Sequence, residues 1–462
     1  MFDKKIYLLR RDELRKKCGS GLFILPGNGE SPMNYVANTY HFRQDSNFLY
    51  FFGIDQPDLV ALMDFDKGID IIYGEDSSLE DKIWSGDQLP LSENAVRAGV
   101  SVVKPLKDLK SDIKKAIKSG RRVRIVPPYR CDQRVYLAEL FDCGIEKLES
   151  YVSIEIIKGI ISLREIKEKL EIQQIEQAVD TAYLMHTQVM KMAFPGTWER
   201  EIAGSIEGIA LANGGPVSFP VILSMDGQIL HNHSHKELLH EGRMVVADAG
   251  CESHLHYASD ITRTVPVGGK FSQRQKEIYQ IVLDANMITI ENAGPEIFNK
   301  DLHLLAARTI TEGLKNIGLM KGDTKEAVEQ GAHALFFPHG LGHMLGLDVH
   351  DMESLGENYV GYDETVKRSP QFGTAFLRLA KKLKPGFVMT IEPGIYFIPA
   401  LIDKWKNEKK AMEFINYEKV EKYKDFGGIR IEDDILITET GCRVLGKPIP
   451  KTIADIEAIM IK

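Results

Sequence analysis

Four carboxylates in the sequence sit inside runs that otherwise read as β-strands. They are Asp248 in MVVADAG, Asp260 in ASDITRTV, Glu392 at the end of VMTIE and Glu432 in IRIEDDILI. Aspartate is depleted in strands, and a buried carboxylate is costly without a partner. Two-residue alternation groups Met244, Val246 and Asp248 on one face, and it groups Asp260 with Thr262 and Thr264. The twelve-residue separation of Asp248 and Asp260 suits two adjacent antiparallel strands, so both carboxylates can point to one side of a hairpin. Glu432 falls on a polar face beside Arg430. Four acids converging without cations would repel one another, raising their pKa values and straining the fold. Divalent ions relieve this: carboxylate oxygens suit Mn, Mg or Ca, and added imidazole shifts the choice toward Mn, Fe, Co or Zn.

The imidazoles come from PHGLGHMLGLDVHD, residues 338–351, which carries His339, His343 and His350. Its glycines let the backbone approach a ligand closely. A second group, His231, His233 and His235 in LHNHSH, faces one way if the segment is a strand. Only one of these need be functional, and a surface loop explains the other two equally well. Residue chemistry alone therefore leads to a dinuclear metal site of four acids and one histidine, with further histidines nearby. Such a site positions a bridging hydroxide and polarises a carbonyl, which is hydrolysis. The substrate is not legible at this level.

The elements that must hold these residues fill a chain of 462 residues, long enough for two or three domains. Its 44% hydrophobic and 27% charged content excludes disordered, collagen-like and coiled-coil classes. A net charge of −8 gives no overall basic footprint for nucleic acid. No run approaches the length of a membrane span, and the N-terminus has only a four-residue apolar run, Ile6 to Leu9, too short for a secretory signal. Five scattered cysteines with no CxxC pair fit reduced thiols in the cytoplasm.

Residues up to about 150 alternate short β-like runs (Leu59–Phe65, Val123–Val126) with charged helical stretches (Asp12–Lys17, Leu106–Lys118), an α/β pattern. The aromatic stretch Arg43–Gly53 reads as a core strand edge. After residues 150–163 the texture changes. Ile172, Ile175, Val179, Ala182, Met185, Val189 and Met192 recur at helical spacing, and Pro195-Gly196 ends that helix. Beyond it, acid-bearing strands (Met244–Gly250, Ala258–Val265, Phe387–Glu392, Gly428–Ile437) alternate with helices (Gln273–Asn292, Asp301–Asn316), giving α+β. The charged stretch Asp403–Asp425 reads as a solvated helical excursion.

The segments DAG (248–250), SDITRT (259–264), HGLGHMLGLDVHD (339–351), TIEPGIY (390–396) and GIRIEDD (428–434) together closely resemble the metallopeptidases of the aminopeptidase P and prolidase family. Phe42–Gly53 resembles the N-terminal domain of the same enzymes. The resemblance implies an α/β N-terminal domain over residues 1–155 and a C-terminal α+β "pita-bread" catalytic domain over 163–462. It implies two divalent ions, Mn2+ being the expected metal. Asp248 would chelate one, His343 and Glu392 the other, and Asp260 and Glu432 would bridge them. A bridging hydroxide would attack the Xaa–Pro carbonyl while Glu392 takes its proton. His231 and His350 would stabilise the oxyanion, His339 would contact the proline side, and Arg430 would orient Glu432, with a surface strand charge as the lesser alternative for Arg430. Trp84, in IWSG, resembles an aromatic that relatives use near substrate, sometimes across a subunit interface. As a lone tryptophan it is expected in a core.

Two activities compete within the family. Prolidases cut only Xaa-Pro dipeptides and need a cation for the free carboxylate, a position that Arg378 matches, although an arginine in a helix near Lys381 and Lys382 is also a solvated charge. The insertion between Glu392 and Glu432 (FIPALIDKW, FINYEKV) also looks like prolidases. The N-terminal domain and SDITRT look at least as much like aminopeptidase P, which accepts longer peptides, and the reading leans to an Xaa-Pro aminopeptidase. A peptide with proline second is then the substrate, with neither nucleic acid nor membrane as partner, and a homo-oligomer is the expectation by analogy. A non-catalytic binding protein on the same fold is the reading from another class.

Overall fold

The computed structural model describes residues 1–461 and divides into two compact units. The first comprises Met1–Arg164 together with Glu353–Tyr359; the second comprises Glu165–Met352 and the chain from Val360 onward.

In the first unit a five-stranded sheet runs in the order Val102–Lys104, Ile69–Tyr73, Val60–Asp64, Leu22–Pro26, Val123–Arg124. Its three central strands are antiparallel and its two edge strands parallel to their neighbours. Leu22, Ile24, Val60, Leu62 and Tyr73 form one core with Leu109, Ile113 and Leu137 from two helices. The aromatic stretch expected as a strand edge is instead a helix, Ser46–Phe52, with all seven side chains buried. A short, continuously apolar run cannot be told from a strand by periodicity. Here the ends decide: the Asp45 carboxylate accepts the Phe48 N–H, and Gly53 closes the helix at φ 64°.

In the second unit the expected amphipathic helix spans Lys169–Met192, with Ile175, Val179, Ala182, Met185 and Val189 buried. It packs on Glu199–Ala212, and Gln273–Asn292 packs on Asn299–Asn316. Three small antiparallel sheets lie among these helices. One places Met244–Asp248 between Ile222–Ser224 and Thr262–Pro266, with Asp248 opposite Thr262. A second places Asp433–Ile437 between Val388–Ile391 and Cys442–Val444, and a third pairs Gly394–Tyr396 with Gly428–Arg430.

The long acidic strands are shorter than their sequence runs, and each break falls at a site residue. Asp260 precedes its strand, and its N–H is held by the Asp434 carboxylate at 3.0 Å. Gly428–Ile437 is two strands in different sheets. Between them the Ile431 N–H turns to Pro393 O and the Glu432 N–H to Thr262 O. The backbone thereby spends its ladder hydrogen bonds on aiming a carboxylate. Residues 403–425 are partly helical (Pro399–Asn407, Tyr417–Val420) but not fully solvated, because Trp405, Phe414, Ile415, Tyr417 and Val420 are buried. Arg378 lies outside any helix, just after the single 3-10 turn Thr374–Phe376. Among the described residues no helix is long and apolar enough to cross a membrane.

Candidate metal centre

Asp260, His343 and Glu432 each present a ligand atom within 4.8 Å of the others. His343 Nε2 lies 3.4 Å from Asp260 Oδ2 and 3.8 Å from Glu392 Oε1. Backbone pairing sets this geometry: the Thr390 N–H donates to His343 O, and the Glu392 N–H donates to Leu341 O at 2.8 Å. The approach requires glycine at 342, where a Cβ would stand 2.0 Å from Thr390 O.

The acids are crowded. Burial pushes the carboxyls of Asp260 and Glu432 well above the ordinary range, and the surrounding carboxylates push them further. Glu392 is raised by burial too, with His343 and Arg430 opposing. Asp248 Oδ1 and Asp260 Oδ1 are buried and accept no hydrogen bond from any described residue. Orphaned acceptors on converging acids, beside an imidazole, are a donor set suited to a divalent cation, and a cation would relieve both the repulsion and the missing bonds.

One protein cation does reach the cluster. Arg430 is buried and donates to Asp248 Oδ2 at 2.6 Å, to Tyr396 Oη at 3.0 Å and to Thr262 Oγ1 at 3.1 Å. The Thr262 hydroxyl in turn donates to Glu432 Oε2 at 2.6 Å. Arg430 is therefore not a surface charge, and its direct partner is Asp248 rather than Glu432, which it reaches through Thr262. Behind this layer Arg263, also buried, donates to Glu432 O at 2.6 Å, to the Asp433 carboxylate, and to the carbonyls of Ile449 and Pro450.

His339 stands beside the acids, with Nδ1 2.7 Å from Gly340 O and Nε2 2.9 Å from Tyr396 Oη. A carbonyl only accepts, so Nδ1 carries the proton and Nε2 accepts from the tyrosine. Burial, reinforced by the Arg430 charge, lowers His339 to about 3 and keeps the ring neutral. His350 meets His343 edge-on, with centroids 4.2 Å apart. The LHNHSH segment is a loop and not a strand. His233 and His235 both face Val221 O, and burial lowers the His231 pKa, with Arg430 adding to the effect.

A cavity of about 790 Å3 is lined by Asp248, Asp260, His343, Glu392 and Glu432 together with His231, His339, His350, Arg378 and Arg430. Trp84 is not among its lining residues. It sits in the first unit on the helix Leu79–Ser85, 80% exposed, which also overturns the core reading of it. Sequence reasoning missed Tyr396 and gave Thr262 no role, though both lie inside segments that attracted attention. It also missed a buried ion pair, Lys167 Nζ to Asp351 Oδ2 at 2.9 Å, next to His350. No spacing signal joins residues 184 apart in sequence.

Residues 173–439 match Metallopeptidase family M24, and residues 7–126 match the aminopeptidase P N-terminal domain. The chain is 30% identical to the human Xaa-Pro dipeptidase over 97% of its own length and 91% of that protein's. It is 32% identical to an Xaa-Pro aminopeptidase of Haemophilus influenzae, covering 91% and 89%. Zinc-substituted aminopeptidase P of E. coli in complex with product superposes with a TM-score of 0.82 at 28% identity, covering 99% of this chain and 98% of that one. These likenesses carry the pita-bread architecture and a divalent-metal hydrolase chemistry.

Proposed function

The chain belongs to metallopeptidase family M24, and from that premise we propose that it is an Xaa-Pro aminopeptidase, removing the first residue of peptides whose second residue is proline. The observation that carries the reading is the set of acids around His343, of which Asp248 Oδ1 and Asp260 Oδ1 are buried with no hydrogen-bond partner among the described residues. Asp248, Asp260, His343, Glu392 and Glu432 would hold two divalent ions, with Mn2+ the choice best suited to a mixed carboxylate and imidazole set. Such ions supply an activated water and a polarised scissile carbonyl.

The chain's own residues do the rest. The Glu392 carboxylate, on the cavity wall beside His343, accepts the proton of the attacking water. His231 and His350, both on the cavity wall, donate to the oxygen on which charge develops. His339 has both nitrogens engaged and offers a neutral ring to the proline side. Arg430 fixes the Asp248 carboxylate, and through Thr262 the Glu432 carboxylate. Proline lacks the amide hydrogen that most peptidases use for alignment, so the site must recognise the bond by shape.

The cavity continues past the acids over Phe372 and Phe376, leaving room for residues beyond proline, which favours longer substrates. A second reading, a dipeptidase, draws on Arg378. It lines the same cavity, and its charge bears on Glu392, where it could take the free carboxylate of Xaa-Pro. The deciding experiment gives metal-stripped protein, with and without Mn2+, Ala-Pro and Ala-Pro-Ala, and measures released alanine. Release from both is expected of an aminopeptidase, and release from the dipeptide alone assigns the second reading. Release from neither, with metal bound, leaves a binding protein on this fold.

A further inference from the structure

We propose that the outer part of the cavity is a subsite for the side chain of the residue after proline, and that it favours apolar and aromatic side chains there. This rests on the Xaa-Pro reading above. The cavity that holds Glu392 and His339 continues over Phe372, Phe376, Ile398 and Leu401. Two of these rings are left open to solvent inside a concavity, Phe376 at 56% and Phe372 at 37%. Apolar surface kept exposed in a cleft is what a ligand side chain covers.

The path along the chain fixes which part of a substrate meets them. Gly340, next to His339, is pressed so closely on the Phe376–Leu377 backbone that a Cβ would lie 2.8 Å from Leu377 Cα and 3.0 Å from Phe376 O. The wall that faces proline through His339 therefore runs directly into Phe376. The other wall, Phe219 and Pro220 leading to His231, comes from a separate segment, and with proline at His339 it is the wall left for the residue before the bond.

The shelf is also preorganised. The Tyr362 hydroxyl holds Leu377 O at 2.6 Å, fixing the turn that carries Phe376. Phe372 packs edge-on against both Phe376, at 5.9 Å, and Trp405, at 6.1 Å. Trp405 is buried on Pro399–Asn407, the helix that supplies Leu401. Rigid rings lose little freedom on binding, so the area they cover is converted efficiently into discrimination.

The test compares kcat/KM for Ala-Pro-Phe and Ala-Pro-Ala on the Mn2+-loaded full chain and on its Phe376→Ala and Phe376→Leu variants. The native protein should prefer Ala-Pro-Phe by about tenfold, carried mainly by KM, in line with a few methylene equivalents in a half-open pocket. In Phe376→Ala the ratio should fall toward one, and Phe376→Leu should keep part of it. A ratio taken within one protein is insensitive to partial misfolding. A native ratio near one, or a ratio unmoved by both variants, overturns the subsite. Cleavage of Ala-Pro with neither tripeptide touched also overturns it while leaving the peptidase standing. Failure on all three peptides brings down the Xaa-Pro reading itself.

Discussion

Arg430 gathers three oxygens that would otherwise be unevenly satisfied: Asp248 Oδ2, Tyr396 Oη and Thr262 Oγ1. A lysine carries the same charge but not the planar fork, so Arg430→Lys cannot serve all three at once. We expect it to weaken metal binding by about 10–100-fold, read by calorimetric Mn2+ titration; an unchanged affinity would remove Arg430 from the positioning role. His231→Ala and His350→Ala should each lower kcat by about 10²–10³-fold while leaving metal stoichiometry intact, if each supplies an oxyanion donor. A loss confined to KM would contradict that. The sequence displays the types of these residues plainly, because acids in strands and histidines among glycines are chemically out of place. It does not display who touches whom. Thr262 acquires its role only from the register that sets it opposite Asp248 and below Glu432, and Arg430 reaches Asp248 across 182 residues.

At the scale of elements, the Lys167–Asp351 pair ties the start of the long helix Lys169–Met192 to the loop carrying His343 and His350, with both side chains almost out of solvent. Lys167→Met removes the cation paired with the buried Asp351 carboxylate, and we expect a loss of up to about 3–5 kcal/mol in urea unfolding; a loss below about 1 kcal/mol, the level of an exposed pair, would show the pair to be dispensable. A pH-dependent tie holds the segment around residue 381. Burial alone would raise the Glu165 carboxyl, but Lys381 and Lys384 pull it below its ordinary value. A lowered carboxyl contributes stability that is complete above its unfolded value of about 4.3 and is lost as pH falls through the folded value. Glu165→Gln should therefore destabilise at neutral pH, and the gap to the native protein should close as pH falls through the folded value; a gap that stays constant from neutral to acid pH would refute the sign. Elements with a sustained period, such as Lys169–Met192, were legible from spacing. Ser46–Phe52 was not, because its helical state rests on the Asp45 and Gly53 ends rather than on a pattern, and the split at Ile431–Glu432 depends on two sheets meeting.

For the molecule as a whole, all five acids and histidines proposed to hold metal lie in the second unit, while the first has its own sheet and core. Binding that favours the folded state stabilises it by about 2.7 kcal/mol when free ion is about a hundredfold above Kd. Chelation should thus speed hydrogen exchange in Thr262–Pro266 and Asp433–Ile437 and leave Leu22–Pro26 unchanged; equal effects in both units would contradict this division. The family's two-part order along the chain was readable from texture and motifs, whereas the return of Glu353–Tyr359 to the first unit carries no mark in composition.

The Arg263 network sets a constraint in time. Its guanidinium grips Glu432 O and is itself closed by the carbonyls of Ile449 and Pro450. During vectorial synthesis, the five-stranded sheet of the first unit can form early, yet the centre stays unfinished until residue 450 has left the ribosome. A chain that has emerged only as far as Glu432 therefore lacks the carbonyls that close the Arg263 clasp, and the aim of the Glu432 carboxylate is settled by residues that follow it in synthesis.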